Sequence, residues 1–268
     1  MLDLCPVCLG ERRPCFRATL LARYDVEYFL CERCGLLQTE SPYWLADAYE
    51  RAITDEGTGL ATRNIEIARK LACLLYFCFD RGGLYLDMAG GYGMLTRLMR
   101  DTGFDFYWSD QYCQTLFDRG FRLMHVKPLF TAVTAFEVLE HIVDPLRTVQ
   151  EWMNEVQASA LIFSTELYWG QQPPQPGTWD YYALSTVQHI SFYNRRTLQA
   201  LAGKLSLCLC STGTLHILSR QRISPVLFNL LTSRLSHLLA PFIRRAMHPK
   251  TLDDSRLIST RRLSLGSR

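Results

Sequence analysis

A strand–turn–helix unit at 84–103 constrains this chain most. Leu84, Tyr85, Leu86, Asp87 and Met88 form a short apolar run with an acid near its end. Ala89, Gly90, Gly91, Tyr92 and Gly93 make a glycine-rich turn, and a helix is predicted from Met94 to Thr102 with Gly103 closing it. More strands are predicted at 104–109, ending at Asp110, then weakly at 121–126, at 131–138, at 160–165 and within 207–218. Helices are predicted at 44–53, 60–79, 145–157 and 194–205. In 60–79, Ile65, Ala68, Leu71, Ala72 and Leu75 repeat at helical spacing. Strands alternating with helices predict an α/β domain with a mostly parallel sheet. A long aromatic- and proline-bearing loop at 167–185 is of the length usually reserved for function or disorder.

The turn also carries chemistry. Glycines let a ligand approach the backbone, and the N–H groups that open a helix offer hydrogen bonds. The dinucleotide fingerprint is incomplete, because Thr96 stands where its third glycine belongs. Asp87 would repel a pyrophosphate but suits a ligand bearing an ammonium or a sulfonium. Asp110, 20 residues beyond Gly90, stands where a carboxylate can accept both hydroxyls of a ribose, although it also suits a plain turn.

Cysteine is the second constraint. Of ten cysteines, five fall in the first 34 residues. Cys5 and Cys8 form one C-x2-C knuckle, Cys31 and Cys34 another, with 22 residues between. Two such knuckles supply four thiolates for a tetrahedral zinc, and four protein ligands leave no open position, so the zinc is expected to be structural. Cys15 reads as a packed free thiol. No basic segment followed by an apolar run opens the chain, so no signal peptide is expected, and a reducing cytoplasmic location with free thiols follows.

The charge is uneven. The whole chain, 29 Lys+Arg against 26 Asp+Glu, is near neutral, but residues 219–268 carry ten basic and two acidic side chains. A terminal helix is predicted over 224–247, with Ser224 as cap, Pro225 at the first position and a kink at Pro241. Its stripe of Leu227, Leu231, Leu235, Leu238 and Phe242 suits packing on its own domain or a dimer partner, or peripheral contact with an anionic membrane.

The runs from Leu84 to Leu95, from Tyr107 to Asp110 and from Thr134 to Pro145 together resemble the class I S-adenosylmethionine-dependent methyltransferases. Residues 188–193 before a helix, with the N-terminal cysteines, are similar to the subgroup that holds zinc-binding sugar C-methyltransferases. The resemblance covers about residues 5–205. It implies a Rossmann-like fold with a mostly parallel seven-stranded sheet flanked by helices, and a small zinc-ribbon-like module. The implied organisation is a zinc-binding cysteine module (1–40), a helical connector or cofactor lid (41–80), the methyltransferase domain (81–218) and a basic amphipathic tail (219–268). S-adenosylmethionine would be held by Asp87, Gly90, Gly91, Tyr92 and Gly93, with Asp110 on the ribose, Glu137 lining the cofactor side, and Arg63 closing over it with Asn64, Asp55 and Gly57. Phe130 and residues 111–113 are the candidates for the adenine.

Methyl transfer to a carbon or hydroxyl also needs a base. His141 and His189 are the first candidates, with Glu140 and Tyr193 as helpers; each of the histidines also suits a loop-bracing role. Tyr92 and Tyr181 are candidates for cation–π contact. The acceptor expected is a small molecule or a glycan, and nucleic acid is not expected as a partner. Two other readings remain open: a nicotinamide-type Rossmann oxidoreductase and a zinc-ribbon nucleic-acid binder.

Overall fold

A computed structural model describes residues 4–48, 59–117, 120–123, 129–185 and 188–266. The chain forms two compact units. One comprises 1–57, 135–155 and 160–222; the other comprises 58–134, 156–159 and 223–268. The units cut across the linear segments expected from sequence, because elements far apart along the chain group together.

The first unit opens with the hairpin β1 (Arg12–Leu20) and β2 (Tyr24–Cys31), turned through Leu21 and Ala22 with both residues left-handed. β3 (Leu37–Thr39) pairs antiparallel with β2, and on its other side with β8 (Ser191–Phe192), giving a four-stranded sheet in the order β1-β2-β3-β8. Tyr28, Trp44, Tyr168, Tyr182 and Phe192 form its buried core, with rings 5.0–6.1 Å apart among Tyr28, Tyr182 and Phe192. The unit also contains α1 (Leu45–Ala48), α4 (Pro145–Glu155), β7 (Ala160–Ser164), α5 (Arg195–Leu205), β9 (Cys208–Ser211) and β10 (Leu215–Ser219). The rest of the helix predicted at 44–53 lies outside the described residues. Asn194 starts α5 through a capping box in which its side chain accepts from the Thr197 N–H.

The second unit holds α2 (Leu60–Cys78), β4 (Leu84–Met88), α3 (Met94–Thr102), β5 (Asp105–Ser109) and the start of β6 (Ala132–Ala135), with α6 (Pro225–Thr232), α7 (Ser236–Met247) and α8 (Thr251–Gly266). α2 buries Ala68, Leu71, Ala72 and Leu75 of the stripe its spacing predicts, whereas Ile65, in its first two turns, is exposed. Gly103 ends α3 in a left-handed conformation with φ 118°.

The sheet order β5-β4-β6-β7-β10-β9 corrects the expectation of seven mostly parallel strands. Six strands form among the described residues, and the sheet is mixed. β4 runs parallel to β5 and β6, whereas β10 runs antiparallel to β7 and β9. The cause is local: residues 212–214 are too few for a parallel crossover, so β9 and β10 close as a hairpin. In the weak strand predicted at 121–126, Arg122 makes a single parallel bridge to Trp108, and 124–128 lie outside the described residues.

The tail departs from one kinked helix. The break falls at 233–235, where Ser233 Oγ accepts from the Leu235 N–H, and Pro241 sits inside α7 without ending it. α8 is clamped to α3. Arg100 donates to both Asp254 oxygens at 2.7 and 2.8 Å and Arg97 to one at 2.8 Å, all three side chains being largely buried.

Candidate functional site

Asp87 is buried at the end of β4. In the sheet register it lies beside Thr134 of β6, whose hydroxyl donates to Asp87 Oδ1 at 2.7 Å. Burial pushes the Asp87 carboxyl up to about 7, and the nearby Asp110 charge adds to that, against the hydrogen bond from Thr134. The turn then bends through Ala89 (φ 51°), Gly91 (φ 55°) and Gly93 (φ 80°). A side chain on Gly90 would start 2.7 Å from Asp87 Oδ2 and 2.8 Å from the Trp108 ring, so the turn is packed directly on the acid. Over Gly91 there is open space, and only glycine adopts its φ cheaply.

Asp110 fixes the outer side of this turn. Its Oδ2 accepts from the Gly91 N–H at 2.9 Å, and its Oδ1 from the Tyr112 and Cys113 N–H groups at 2.8 Å each. It is therefore a turn residue as well as a candidate ribose acceptor. Trp108 Nε1 donates to the Gly91 carbonyl at 3.0 Å. The Tyr92 carbonyl accepts from Leu116 and Phe117, tying 115–117 to the turn. Phe130 is buried, edge-on to Tyr107. Arg63 lies exposed in the first turn of α2, and the Asn64 amide donates to the Leu60 carbonyl within that helix. Asp55 and Gly57 lie outside the described residues. Thr134 and Trp108 were not singled out by sequence; the signal for Thr134 was a polar residue inside an apolar strand.

In the first unit, Glu137 follows β6 in a left-handed conformation (φ 56°). Its N–H donates to Ser164 Oγ, and the Ser164 hydroxyl donates to its carboxylate at 2.5 Å. A 3-10 turn, Leu139–His141, then buries Glu140. His141 Nδ1 donates to the Gln188 carbonyl at 2.8 Å, and His189 Nδ1 to the Tyr181 carbonyl at 2.7 Å. A carbonyl only accepts, so each ring keeps Nε2 as its basic nitrogen. The two rings meet edge to face at 4.9 Å. Burial, with His189 adding to it, pushes His141 down to about 3, so it is neutral at physiological pH. A carboxylate oxygen of Glu140 and one nitrogen of each histidine lie within 4.8 Å of one another, a set that could also hold a divalent cation. Tyr193 is buried and donates to the Leu139 carbonyl at 2.7 Å, which braces the 3-10 turn. Tyr181 packs its ring against His189 at 4.7 Å and shares a hydrogen bond with Thr165.

All four cysteine sulfurs, Cys5, Cys8, Cys31 and Cys34, lie within 4.8 Å of one another, and each residue is buried. Cys5 and Cys34 are 3.6 Å apart, Cys8 and Cys31 3.4 Å. Sulfurs about 2.3 Å from one tetrahedral centre lie about 3.8 Å apart, so the donor set fits zinc. Without a metal, Cys5 and Cys34 share one proton, which holds Cys5 below the usual thiol range and Cys34 above it. The second knuckle rests on the start of α5: Thr197 donates to the Cys34 carbonyl, and Arg196 to those of Glu32 and Arg33.

An open α/β sheet whose first strand ends in a buried acid beneath a glycine turn, and whose second ends in an acid gripping that turn, has the Rossmann-like methyltransferase fold. The chain belongs to the methyltransferase-domain family, whose sequence profile matches residues 61–207. No curated protein matches it. Among solved structures it is similar to TnmH (16% identity, 66% of this chain and 61% of that one, TM-score 0.46). It is also similar to magnesium protoporphyrin IX methyltransferase from Synechocystis with bound S-adenosylhomocysteine (15%, 66% and 93%, 0.39). An O-methyltransferase family 2 protein from Planctomyces limnophilus in complex with apigenin is a third (14%, 66% and 65%, 0.42). The chain thus spans about three fifths of the length of TnmH.

Proposed function

We propose that this protein is an S-adenosylmethionine-dependent methyltransferase acting on a carbon or hydroxyl of a small-molecule or glycan acceptor, in the cytoplasm, with a structural zinc at Cys5, Cys8, Cys31 and Cys34. The observation that carries the reading is the buried Asp87 beneath an open, left-handed glycine turn. A carboxylate paired only with a neutral hydroxyl donor suits a cationic ligand and opposes a pyrophosphate, which sets the nicotinamide reading aside. Asp87 and the Gly90, Gly91 and Gly93 turn, with Tyr92, would hold the methionine end. Asp110 would offer its remaining acceptor capacity to the ribose. Glu137, held by Ser164, and Arg63 complete the candidate set. Asp87 lies at the end of β4, and Asp110 and Glu137 just beyond β5 and β6, at the C-terminal strand ends where open α/β sheets bind ligands.

The cofactor, when bound, supplies a methyl group already activated on sulfur. The chain's own work is alignment, exclusion of water and proton removal. His141 is the candidate base: it is neutral, its Nδ1 proton is fixed on Gln188, and Nε2 is the basic atom. His189, oriented in the same way by Tyr181, is its alternate, with Glu140 as helper and Tyr193 as the brace beneath. The sugar C-methyltransferase subgroup is supported by the cysteine set together with residues 188–193.

Titration with S-adenosylmethionine and with a nicotinamide dinucleotide tests the class: binding of the second and not the first overturns it. His141→Ala and His189→Ala test the base. Each is expected to keep cofactor binding and to lose turnover about 100-fold or more; full turnover in both would refute the assignment.

A further inference from the structure

The tail helices carry more apolar surface than their own unit covers. α6 buries Phe228 and Leu231, and α7 buries Ile243, so each already has a side packed inward. On the opposite side of α6, Val226 and Leu230 are 78% and 50% exposed, and on that of α7, Leu238 and Phe242 are 66% and 74% exposed. Positions 226 and 230, and again 238 and 242, are one helical repeat apart, so each pair makes a short outward ridge. Both helices pack against α2, so both ridges face away from it.

Charge says what covers these ridges. Residues 219–250 contain Arg220, Arg222, Arg234, Arg244, Arg245 and Lys250 and no acid. At the elbow between α6 and α7, a cleft of about 380 Å³ is lined by Lys70, Arg234 and His237 with Thr232 and Ser233. Glu66 also lines it and is paired with Arg69 and His237. That cleft is walled by α2, on the covered side; what the ridges themselves present is apolar side chains within an arginine-bearing, acid-free stretch, which matches a surface that is apolar within and anionic at its head groups. A protein partner would have to bring a matching excess of acid. No single described helix is long and apolar enough to cross a bilayer, and the α6–α7 pair is bent by 86°. Together the pair is long and apolar enough for a bent span, but Phe228, Leu231 and Ile243 are buried in the fold, which favours lying on a membrane.

We propose that α6 and α7 dock this protein onto an anionic membrane surface, inserting Val226, Leu230, Leu238 and Phe242 while Arg234, Arg244 and Arg245 meet the lipid head groups. The surface stands independently of the methyl-transfer reading.

Co-sedimentation of the full chain with phosphatidylcholine vesicles, with and without phosphatidylserine, tests it. Wild type is expected to pellet with the anionic vesicles and to be released by salt. Leu238→Gln with Phe242→Gln, and separately Arg234→Ala with Arg244→Ala and Arg245→Ala, are exposed changes expected to leave the thermal transition in place. The three charge removals should weaken partitioning roughly 100-fold, at about fivefold for each basic side chain near the surface. Wild type remaining in the supernatant at low salt overturns the proposal, as does equal pelleting of wild type and both variants. Self-association of wild type, lost in the Leu238→Gln, Phe242→Gln variant, without vesicle binding also overturns it and gives the surface to a second copy of the chain.

Discussion

Asp87 should make cofactor binding depend on pH in a way its amide variant does not. In the free protein its carboxyl titrates at about 7, because burial opposes the charge. A cationic ligand needs the carboxylate, so protonated protein must lose that proton on binding. The apparent dissociation constant then scales as one plus the ratio of protonated to ionised Asp87. With a pKa of about 7, that factor is about 11 at pH 6 and about 1.1 at pH 8, so affinity should fall about tenfold, or about 1.4 kcal/mol, on acidification. Asp87→Asn keeps the shape and removes the titration. It should bind more weakly at pH 8 by about 1.5–3 kcal/mol, the contribution of a hydrogen bond to a charged group, and should lack this slope. Calorimetric titration at pH 6, 7 and 8 reads both, and comparing wild type with variant cancels the ligand's own amino-group titration. Equal slopes in the two proteins would refute the argument. Stability moves with the opposite sign. The folded carboxyl holds its proton more tightly than an unfolded one, so Asp87 stabilises the free protein below pH 4. That contribution, about 4 kcal/mol from the shift of 3.8 to about 7, fades as pH rises through 7.

Metal analysis of purified protein should find one zinc per chain, and Cys31→Ser should abolish it and lower the thermal midpoint; purified protein without zinc would refute the assignment. Asp254→Ala should destabilise the fold by about 3–5 kcal/mol, because it leaves Arg100 buried without its bidentate partner; a thermal midpoint unchanged from wild type would mean that α8 is not docked. Gly35→Ala should cost about 2–3 kcal/mol in chemical denaturation, since Gly35 has φ 78° and its added carbon would meet the Asn194 amide at 2.2 Å. His141 and His216, both buried and pushed down to about 3 and 4, resist protonation when folded, so they withdraw stability as pH falls below 6.5. His141→Asn should flatten that acid limb of the stability profile.

Local signals in the sequence carried most of the fold. The glycine turn, Gly103 closing α3, the Asn194 and Ser224 caps and most of the stripe of α2 each act within a few residues; α2, α3 and α5 formed near their expected bounds, and α6 started where expected. Each cysteine knuckle is local, and the β1–β2 hairpin, pairing Arg12 with Cys31, brings the two knuckles together. What escaped was non-local. Nothing near Thr134 marks it as the donor to Asp87; the sheet register does that. Nothing in 188–193 announces a strand that pairs with residues 37–38. The tail broke at Ser233 rather than Pro241, because a serine side chain can take over a backbone N–H while α7 accommodates the proline.

That β8 pairing changes what the cysteine segment is. Leu37 and Gln38 lie against Phe192 and Ser191, three and two residues beyond His189. Gln38 reaches Ser191 Oγ at 2.8 Å and the Val143 carbonyl at 2.9 Å. The first forty residues therefore cannot be trimmed, tagged or exchanged like a separable cassette. Cutting them away would strip the pairing partner from β8, and grafting them elsewhere would carry an unpaired β3 edge along. An engineer re-aiming the histidine pair at another acceptor would have to redesign the cysteine hairpin in the same step.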